Sequence, residues 1–563
     1  MRSPPPVPPA PTALFLALAL GACSDPGPVP TDAGTADVGT PDSAAQDAPR
    51  DTPAAPQGPS VVTPSGTLVG TSEEGVSAFL GVPYAAPPVG ALRWRPPNPV
   101  TPWTTPRDAT TKGPACPQAR GTLVGSAPMS EDCLTLNVWT PATAPGSSQR
   151  LPVMVFIHGG GFTAGTVAGR DYDGGALARR GVVLVNFNYR LGQLGFLAHE
   201  ALAAEDTERR SAGNYGLLDQ QAALRWVQSH IASFGGDPNN VTLFGESAGS
   251  ISVCAHMVSP LARGLFHKAI SQSGPCSFLV TPQRDLPAAP LLESAEGLAR
   301  RFAREAGCES TPTAACLRAL PLDRVIAAAP TPVELTRFGA RYQPNIDGHV
   351  LPEMPWVSFL AGRVARVPFL SGTNRDEGTF FTFGTPIPTE AAYRTAVEAL
   401  VPGRGADVVD RLYPVSAHGG SANAAFSAFL GDAVFVCPVR AQARLVAATD
   451  TPAWLYHFTR LNRAGTALGL GVFHSAELPY VFDNFVGLFS RTPADVPVME
   501  AMQGYWTRFA ATGDPNGTGA VVWPRFTRDG DSHLEIGDTV RAGTGLRRAV
   551  CDELEAWIAP AAP

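Results

Sequence analysis

Val241-Thr-Leu-Phe-Gly-Glu-Ser-Ala-Gly249 is the stretch on which the fold turns. Its first four residues form a short, β-rich run with no charge, the pattern of a strand covered on both faces. The next five spell Gly-x-Ser-x-Gly, and a helical stretch follows from about Ala248. On so sharp a turn between strand and helix a serine projects its hydroxyl above the sheet. Glycines two positions to either side let the two backbones approach closely. In a chain with 57 glycines the spacing alone is weak, and an incidental serine in a glycine-rich turn would give it too. The strand before and the helix after are what make Ser247 a candidate nucleophile.

Working outward, Val153 to Ile157 (VMVFI) and Val182 to Asn186 (VVLVN) are further short apolar runs. Between the second of them and Val241 lies Asp219 to Phe234, whose Leu224, Val227 and Ile231 fall on one helical face. Later strands are expected at Pro368 to Gly372 and Ala453 to Phe458. Strands alternating with helices imply an α/β architecture around a mostly parallel sheet. No internal repeat is visible. The length of 563 residues would allow three or four domains, yet large α/β enzymes often form one unit.

A second glycine cluster, His158-Gly-Gly-Gly-Phe162, follows the run VMVFI directly. Backbone N–H groups there can face a reacting carbonyl and stabilise the oxyanion of a tetrahedral intermediate, worth a few kcal/mol each. Gly160 and Gly161 are the expected donors, with the N–H of the residue after the nucleophile, Ala248. A phosphate-binding loop is the rival, but the Lys and Ser/Thr of a P-loop are missing.

The ends and the composition set the context. Residues 1–22 read as an export signal, with Arg2 ahead of the apolar run Ala13 to Ala22, which is too short to span a bilayer. Leu20-Gly-Ala-Cys23 resembles the bacterial lipoprotein processing site, which implies acylation of Cys23, and Ser24 after it favours the outer membrane. Several acyl chains together would hold the protein on a membrane through this anchor alone. An ordinary secretory signal is the alternative. Residues 23–60 hold no aromatic, Leu or Ile, so they cannot offset their ordering entropy and should form a disordered tether reaching roughly 35 Å. The body is then expected over 61–563. A net charge of −7 with no basic cluster excludes nucleic acid as a partner. Eight cysteines besides Cys23, in an exported chain, invite disulfides.

Longer strings now identify the chain as resembling the type B carboxylesterases, the family that includes cholinesterases. They are Phe79-Leu-Gly-Val-Pro-Tyr-Ala85, Ser130-Glu-Asp-Cys-Leu-Thr-Leu-Asn-Val-Trp139, Gly213-Asn-Tyr-Gly-Leu-Leu-Asp-Gln220 and Phe234-Gly-Gly-Asp-Pro-Asn-Asn240. With the two glycine motifs they extend the likeness from about Thr63 to Ile558. The resemblance implies an α/β-hydrolase fold with helical insertions around an active-site gorge. It also implies hydrolysis of small-molecule carboxylic esters through an acyl-enzyme, with no metal or organic cofactor.

In this fold the triad runs Ser, acid, His along the chain. Asn374-Arg-Asp-Glu-Gly-Thr-Phe-Phe381 follows an expected strand, and the pattern alone leaves Asp376 and Glu377 open as the acid. The resemblance selects Glu377. Of the later histidines, His418 sits in a Gly/Ser-rich loop, His457 reads as a packed core residue of a strand, and His533 lies near the end. His474, in Gly471-Val-Phe-His-Ser-Ala-Glu-Leu-Pro-Tyr480, matches the family's catalytic loop. Glu246, Ser273 and Glu477 stand at family positions that support the triad, although Ser273 and Glu477 also fit as ordinary buried hydrogen-bonding groups. The resemblance further implies the bridges Cys116–Cys133, Cys308–Cys316 and Cys437–Cys551, and leaves Cys254 and Cys276 to pair with each other. One departure bears on substrate. Cholinesterases carry a choline-binding tryptophan between the first two bridge cysteines, whereas Cys116 to Cys133 here has no aromatic residue, so a general ester is expected rather than choline. The competing readings are a non-catalytic relative that keeps the fold, and the same triad acting on amide, carbamate, lactone or lipid acyl bonds.

Overall fold

The computed structural model describes residues 58–121, 124–277, 281–284, 293–310, 313–327, 341–384 and 386–558. The export signal, Cys23 and the tether up to residue 57 lie outside the described residues. The body's first strand starts at Ser60, pairing in a small sheet made by Ser60–Thr63, Gly66–Val69 and Arg107–Asp108.

The central sheet has eleven strands. In chain order they are β1 (Thr71–Glu73), β2 (Val76–Pro83), β3 (Thr135–Pro141), β4 (Leu151–Ile157), β5 (Val183–Phe187) and β6 (Gly236–Glu246). Then come β7 (Lys268–Gln272), β8 (Phe369–Asn374), β9 (Ala453–Phe458), β10 (Ser532–Ile536) and β11 (Val540–Thr544). Across the sheet the order is β11-β10-β9-β8-β7-β6-β4-β5-β3-β2-β1. Every pairing from β5 through β4, β6, β7, β8 and β9 to β10 is parallel, and both edges finish antiparallel.

The continuous apolar reading of the inner strands has a direct cause. In β4, Val153, Val155 and Ile157 enter one core cluster while Met154 and Phe156 enter another. The β6 pair Leu243 and Phe244 divides in the same way. Both faces are therefore buried, so alternation gives no polar residues. Helices α1 (Tyr215–His230) and α2 (Ala248–Val258) add residues to the first cluster. Between β7 and β8 come short helical insertions, among them Ala295–Glu305, Thr313–Ala319 and Pro355–Leu360. After β8 stand α3 (Gly378–Thr382), α4 (Ala422–Gly431) and α5 (Cys437–Ala447), with α4 and α5 joined by a π-helical segment, Asp432–Val436. The run Ala422–Ala447 is long and apolar enough to cross a membrane, but it is mostly buried in the first cluster and reads as a core helix. Helices α6 (Leu478–Phe482) and α7 (Val496–Thr512) cover the opposite face, and α8 (Arg548–Ile558) closes the chain.

The observed bounds differ from the sequence expectations in two informative places. Helix α1 begins at Tyr215, four residues ahead of the expected Asp219, and Asp219 lies inside its first turns. Its carboxylate is instead buried and takes Nε and Nη2 of Arg190 at 2.8 and 2.7 Å. Strand β6 includes Asp237-Pro-Asn-Asn240, which reads as a turn. The register against β4 jumps there, from Leu151–Gly236 to Val153–Val241, so the polar residues form a bulge inside a longer strand.

Four disulfides are present: Cys116–Cys133, Cys254–Cys276, Cys308–Cys316 and Cys437–Cys551. The second ties α2 to the loop after β7, and the last ties α5 to α8.

Candidate active site

Ser247 lies between the end of β6 and the start of α2 with φ 55° and ψ −122°, a conformation that a side-chain-bearing residue adopts only under constraint. The constraint comes from its flanking glycines. A Cβ on Gly249 would stand 2.0 Å from the carbonyl oxygen of Ile157, and one on Gly245 would stand 2.5 Å from the Gly249 carbonyl carbon. The Ser247 N–H donates to Gln272 O at 2.9 Å, which fixes the turn to the end of β7. Ser247 itself is partly exposed.

The glycine loop after β4 is locked through its carbonyls. Gly159 O is held by Nδ1 of His158 at 2.8 Å, and Gly160 O accepts from the N–H groups of Thr163 and Ala164 at 3.1 and 3.0 Å. In a trans peptide the N–H points away from its carbonyl. The N–H groups of Gly160 and Gly161 are thus turned away from these anchors, and among the described residues neither donates to a backbone acceptor. Ala248 is the first residue of α2, so its N–H has no partner within the helix. Gly160 sits at φ 107°, and a Cβ there would lie 2.0 Å from Ala164 O. His158 stacks on Tyr189 with ring centroids 4.5 Å apart, and burial lowers its pKa to about 4, so it is neutral. Tyr189 was not legible as a support for this loop.

On the other side of the site, Glu377 follows β8 and immediately precedes α3, without a side-chain capping bond to it. Its Oε1 accepts from Ser273 Oγ at 2.6 Å and from the Asn374 N–H at 2.7 Å, while Oε2 meets Nδ1 of His474 at 2.6 Å. The two neighbouring carboxylates differ in what they touch. Asp376 does not reach the imidazole; its Oδ2 instead accepts from the Val472 N–H at 2.7 Å and so holds the loop that carries His474. Both Glu377 and His474 are buried. Among the described residues Nε2 of His474 has no hydrogen-bond partner, and it lies 3.2 Å from Oε1 of Glu246.

Glu246, Ser273 and Glu477 occupy three different relations to this pair. Ser273 binds Glu377 directly. Glu246 faces the open nitrogen of the imidazole, and its Oε1 also accepts from Ser475 Oγ at 2.5 Å. Glu477 touches neither. It takes Gln272 Nε2 at 3.1 Å and Asn374 Nδ2 at 2.6 Å, and Asn374 links it to Glu377. Burial works to lower the pKa of His474, but the carboxylates of Glu246, Glu377 and Glu477 outweigh it and push the value up to about 9. Burial, with Glu477 and Glu377 beside it, pushes Glu246 up to about 8 against the pull of His474 and Ser475. Phe381 and Phe435 stand with ring centroids 4.9 Å from the imidazole, and Phe380 at 6.0 Å, so the ring has aromatic surroundings.

The three other histidines lie elsewhere. His418 closes a short helical turn and bonds Pro414 O, and His533 is on β10. His457 is buried in β9 as expected, but it borders an open polar cleft of about 480 Å³ with Arg375, Glu535 and Arg547 rather than sitting wholly within the core. Burial lowers its pKa to about 3. Among the described residues no group of three His, Cys, Asp or Glu is placed to hold a metal ion. Asn374, Ser475 and the phenylalanine walls escaped the sequence reading. Phe380 and Phe381 were quoted only as part of the acid loop's string.

The sequence matches the carboxylesterase family over residues 57–554. It is 38% identical over 499 residues to a fumonisin B1 esterase of Sphingopyxis macrogoltabida, covering 86% of this chain and 87% of the other. It is 36% identical over 486 residues to a para-nitrobenzyl esterase of Bacillus subtilis strain 168, covering 83% and 92%. A medium-chain fatty acyl-CoA hydrolase precursor of Anas platyrhynchos is 33% identical over 549 residues, covering 89% and 92%.

Proposed function

The chain belongs to the carboxylesterase family and hydrolyses carboxylic esters, and from that premise we propose that it does so through Ser247, His474 and Glu377 by way of an acyl-enzyme. The observation that carries this reading is the 2.6 Å contact between Glu377 and Nδ1 of His474, which leaves Nε2 free of hydrogen bonds among the described residues and 3.2 Å from the carboxylate of Glu246, the residue before Ser247. Nε2 takes the Ser247 proton as the oxygen attacks the ester carbonyl. Glu377 fixes the tautomer and stabilises the imidazolium. The N–H groups of Gly160, Gly161 and Ala248 receive the oxyanion, and His474 then protonates the departing alcohol. Water, activated by the same nitrogen, releases the acid. In the free enzyme such a Ser–His bond is often long and tightens only with substrate bound.

The aromatic rings around His474 favour an uncharged, apolar ester. The similar relatives are named for a fumonisin, a nitrobenzyl ester and an acyl-CoA, so a panel of acyl lengths and of alcohol and thiol leaving groups is the way to find the preferred substrate. The triad is tested by release of p-nitrophenol from a short-chain ester. Ser247→Ala should lower kcat by at least roughly 10⁴-fold, and equal rates for the two proteins would remove the reading.

We further propose that the mature chain is exported and held at the cell envelope by acyl groups on Cys23. The string Leu20-Gly-Ala-Cys23 supports this, as do four disulfides, which persist outside the reducing cytosol. Cys23→Ser should shift the protein from the membrane to the soluble fraction. Recovery of the wild-type chain in the soluble fraction would count against the anchor.

A further inference from the structure

Ser475 follows the imidazole directly, and the triad alone does not account for it. Its φ of 72° is one that glycine holds without strain and serine does not. Its hydroxyl donates to Oε1 of Glu246 at 2.5 Å. That same oxygen is 3.2 Å from Nε2 of His474, the nitrogen left without a partner. One carboxylate oxygen therefore stands between a hydroxyl that binds it and an imidazole nitrogen that could.

With the hydroxyl removed, Nε2 is the remaining polar partner within reach. An ionised Glu246 would then accept from an imidazolium N–H, and a protonated Glu246 would donate to the lone pair of the neutral ring. In both cases a single proton sits between Glu246 and His474, and Nε2 can no longer take the proton of Ser247. We propose that Ser475 is a positioning residue that keeps the carboxylate of Glu246 off Nε2 of His474, leaving that nitrogen open to the hydroxyl of Ser247.

The surroundings make the competing state accessible. Glu246 and His474 are both faced by Glu377 from the loop after β8 and by Glu477 from the start of α6. The buried phenol of Tyr172 also faces Glu246. Burial and the neighbouring carboxylates favour holding a proton on Glu246, while the Ser475 hydrogen bond opposes it. The strain at residue 475 is then the cost of placing a hydroxyl where glycine would fit more easily.

The proposal rests on the triad reading, and the test separates the two. Ser475→Ala and Ser475→Gly are made alone and together with Glu246→Gln, and kcat/KM for a short-chain p-nitrophenyl ester is followed against pH. Each single variant should lose roughly tenfold at neutral pH, the scale of one hydrogen bond to a charged group. The acid limb should move up by about one unit, because the pair holds its proton more tightly. The glycine variant, which relieves the positive φ, should melt no lower than wild type, which guards against a folding defect in the alanine variant. With Gln at 246, loss of the Ser475 hydroxyl should leave the limb in place. An unmoved limb in both single variants, or a shift that persists beside Glu246→Gln, overturns the proposal. Retained activity in Ser247→Ala removes the triad and this proposal with it, whereas an inactive Ser247→Ala beside unmoved Ser475 variants removes the proposal alone.

Discussion

At Ser247 the chain relies on backbone. The turn is fixed by glycines that leave no room for one more carbon, and the proposed oxyanion donors of the glycine loop are aimed by carbonyls locked behind them. At His474 the means are different. The imidazole is held by one carboxylate, that carboxylate by a serine and a backbone N–H, and a second carboxylate waits at the far nitrogen. The first half is rigid because its contacts are steric, and steric cost rises steeply over a fraction of an ångström. The second half is adjustable because its contacts are charges and hydrogen bonds, whose strength follows protonation. Substitutions on the first side should therefore threaten the fold, and those on the second should change the chemistry of a folded protein.

The largest effect is expected from Gly249→Ala, whose new carbon would meet Ile157 O at 2.0 Å where the start of α2 packs on the end of β4. It should cost more than roughly 4 kcal/mol in denaturant unfolding or prevent recovery of folded protein; a well-folded variant would show that the turn is less constrained than its contacts imply. On the other side, Glu377→Gln should fold yet lose roughly 10³ to 10⁴ in kcat, because the tautomer and the support for the imidazolium go together. A loss of fold in place of activity would blur the contrast. Next comes the bridge behind the serine turn. Replacing Cys254 and Cys276 together by alanine should lower stability by about 2–4 kcal/mol, read from chemical denaturation, with kcat little changed.

The smallest effect is a displacement of the pH profile. The neutral imidazole is the working form, so rate is lost as pH falls through its pKa. Against burial, the carboxylates around His474 raise that value from 6.5 to about 9, so the acid limb of kcat/KM should lie above the ordinary histidine position. Glu246→Gln removes one of those charges and should move the limb down by roughly one unit. A limb that stays put would mean that Glu246 is already neutral over the working range.

The same division decided what the sequence disclosed. Gly245, Ser247 and Gly249, and the glycines after β4, lie within a few residues of each other, and their meaning is local. The inner strands were legible for a related reason, since burial on both faces makes a run such as Val153 to Ile157 continuously apolar. The strand expected from Val241 starts earlier, at Gly236, because the polar run Asp237 to Asn240 forms a bulge inside it and carries no apolar signal. The acid–base side joins segments far apart in the chain. Nothing near residue 377 favours Glu377 over Asp376, and only the paths of β8 and the loop before α6 settle which carboxylate meets the imidazole. Ser475, Asn374 and Tyr189 act through contacts that no local pattern encodes.

The bridge between Cys437 and Cys551 encloses the segment that contains His474. On the ribosome, Ser247 and its glycines emerge long before the base, and that bridge waits for a cysteine made later still. A polypeptide made only that far has Ser247 and its glycines but no residue 474 beside them. Residue 474 is reached only when most of the polypeptide has been made, so a product stopped short of it lacks the imidazole that Glu377 holds.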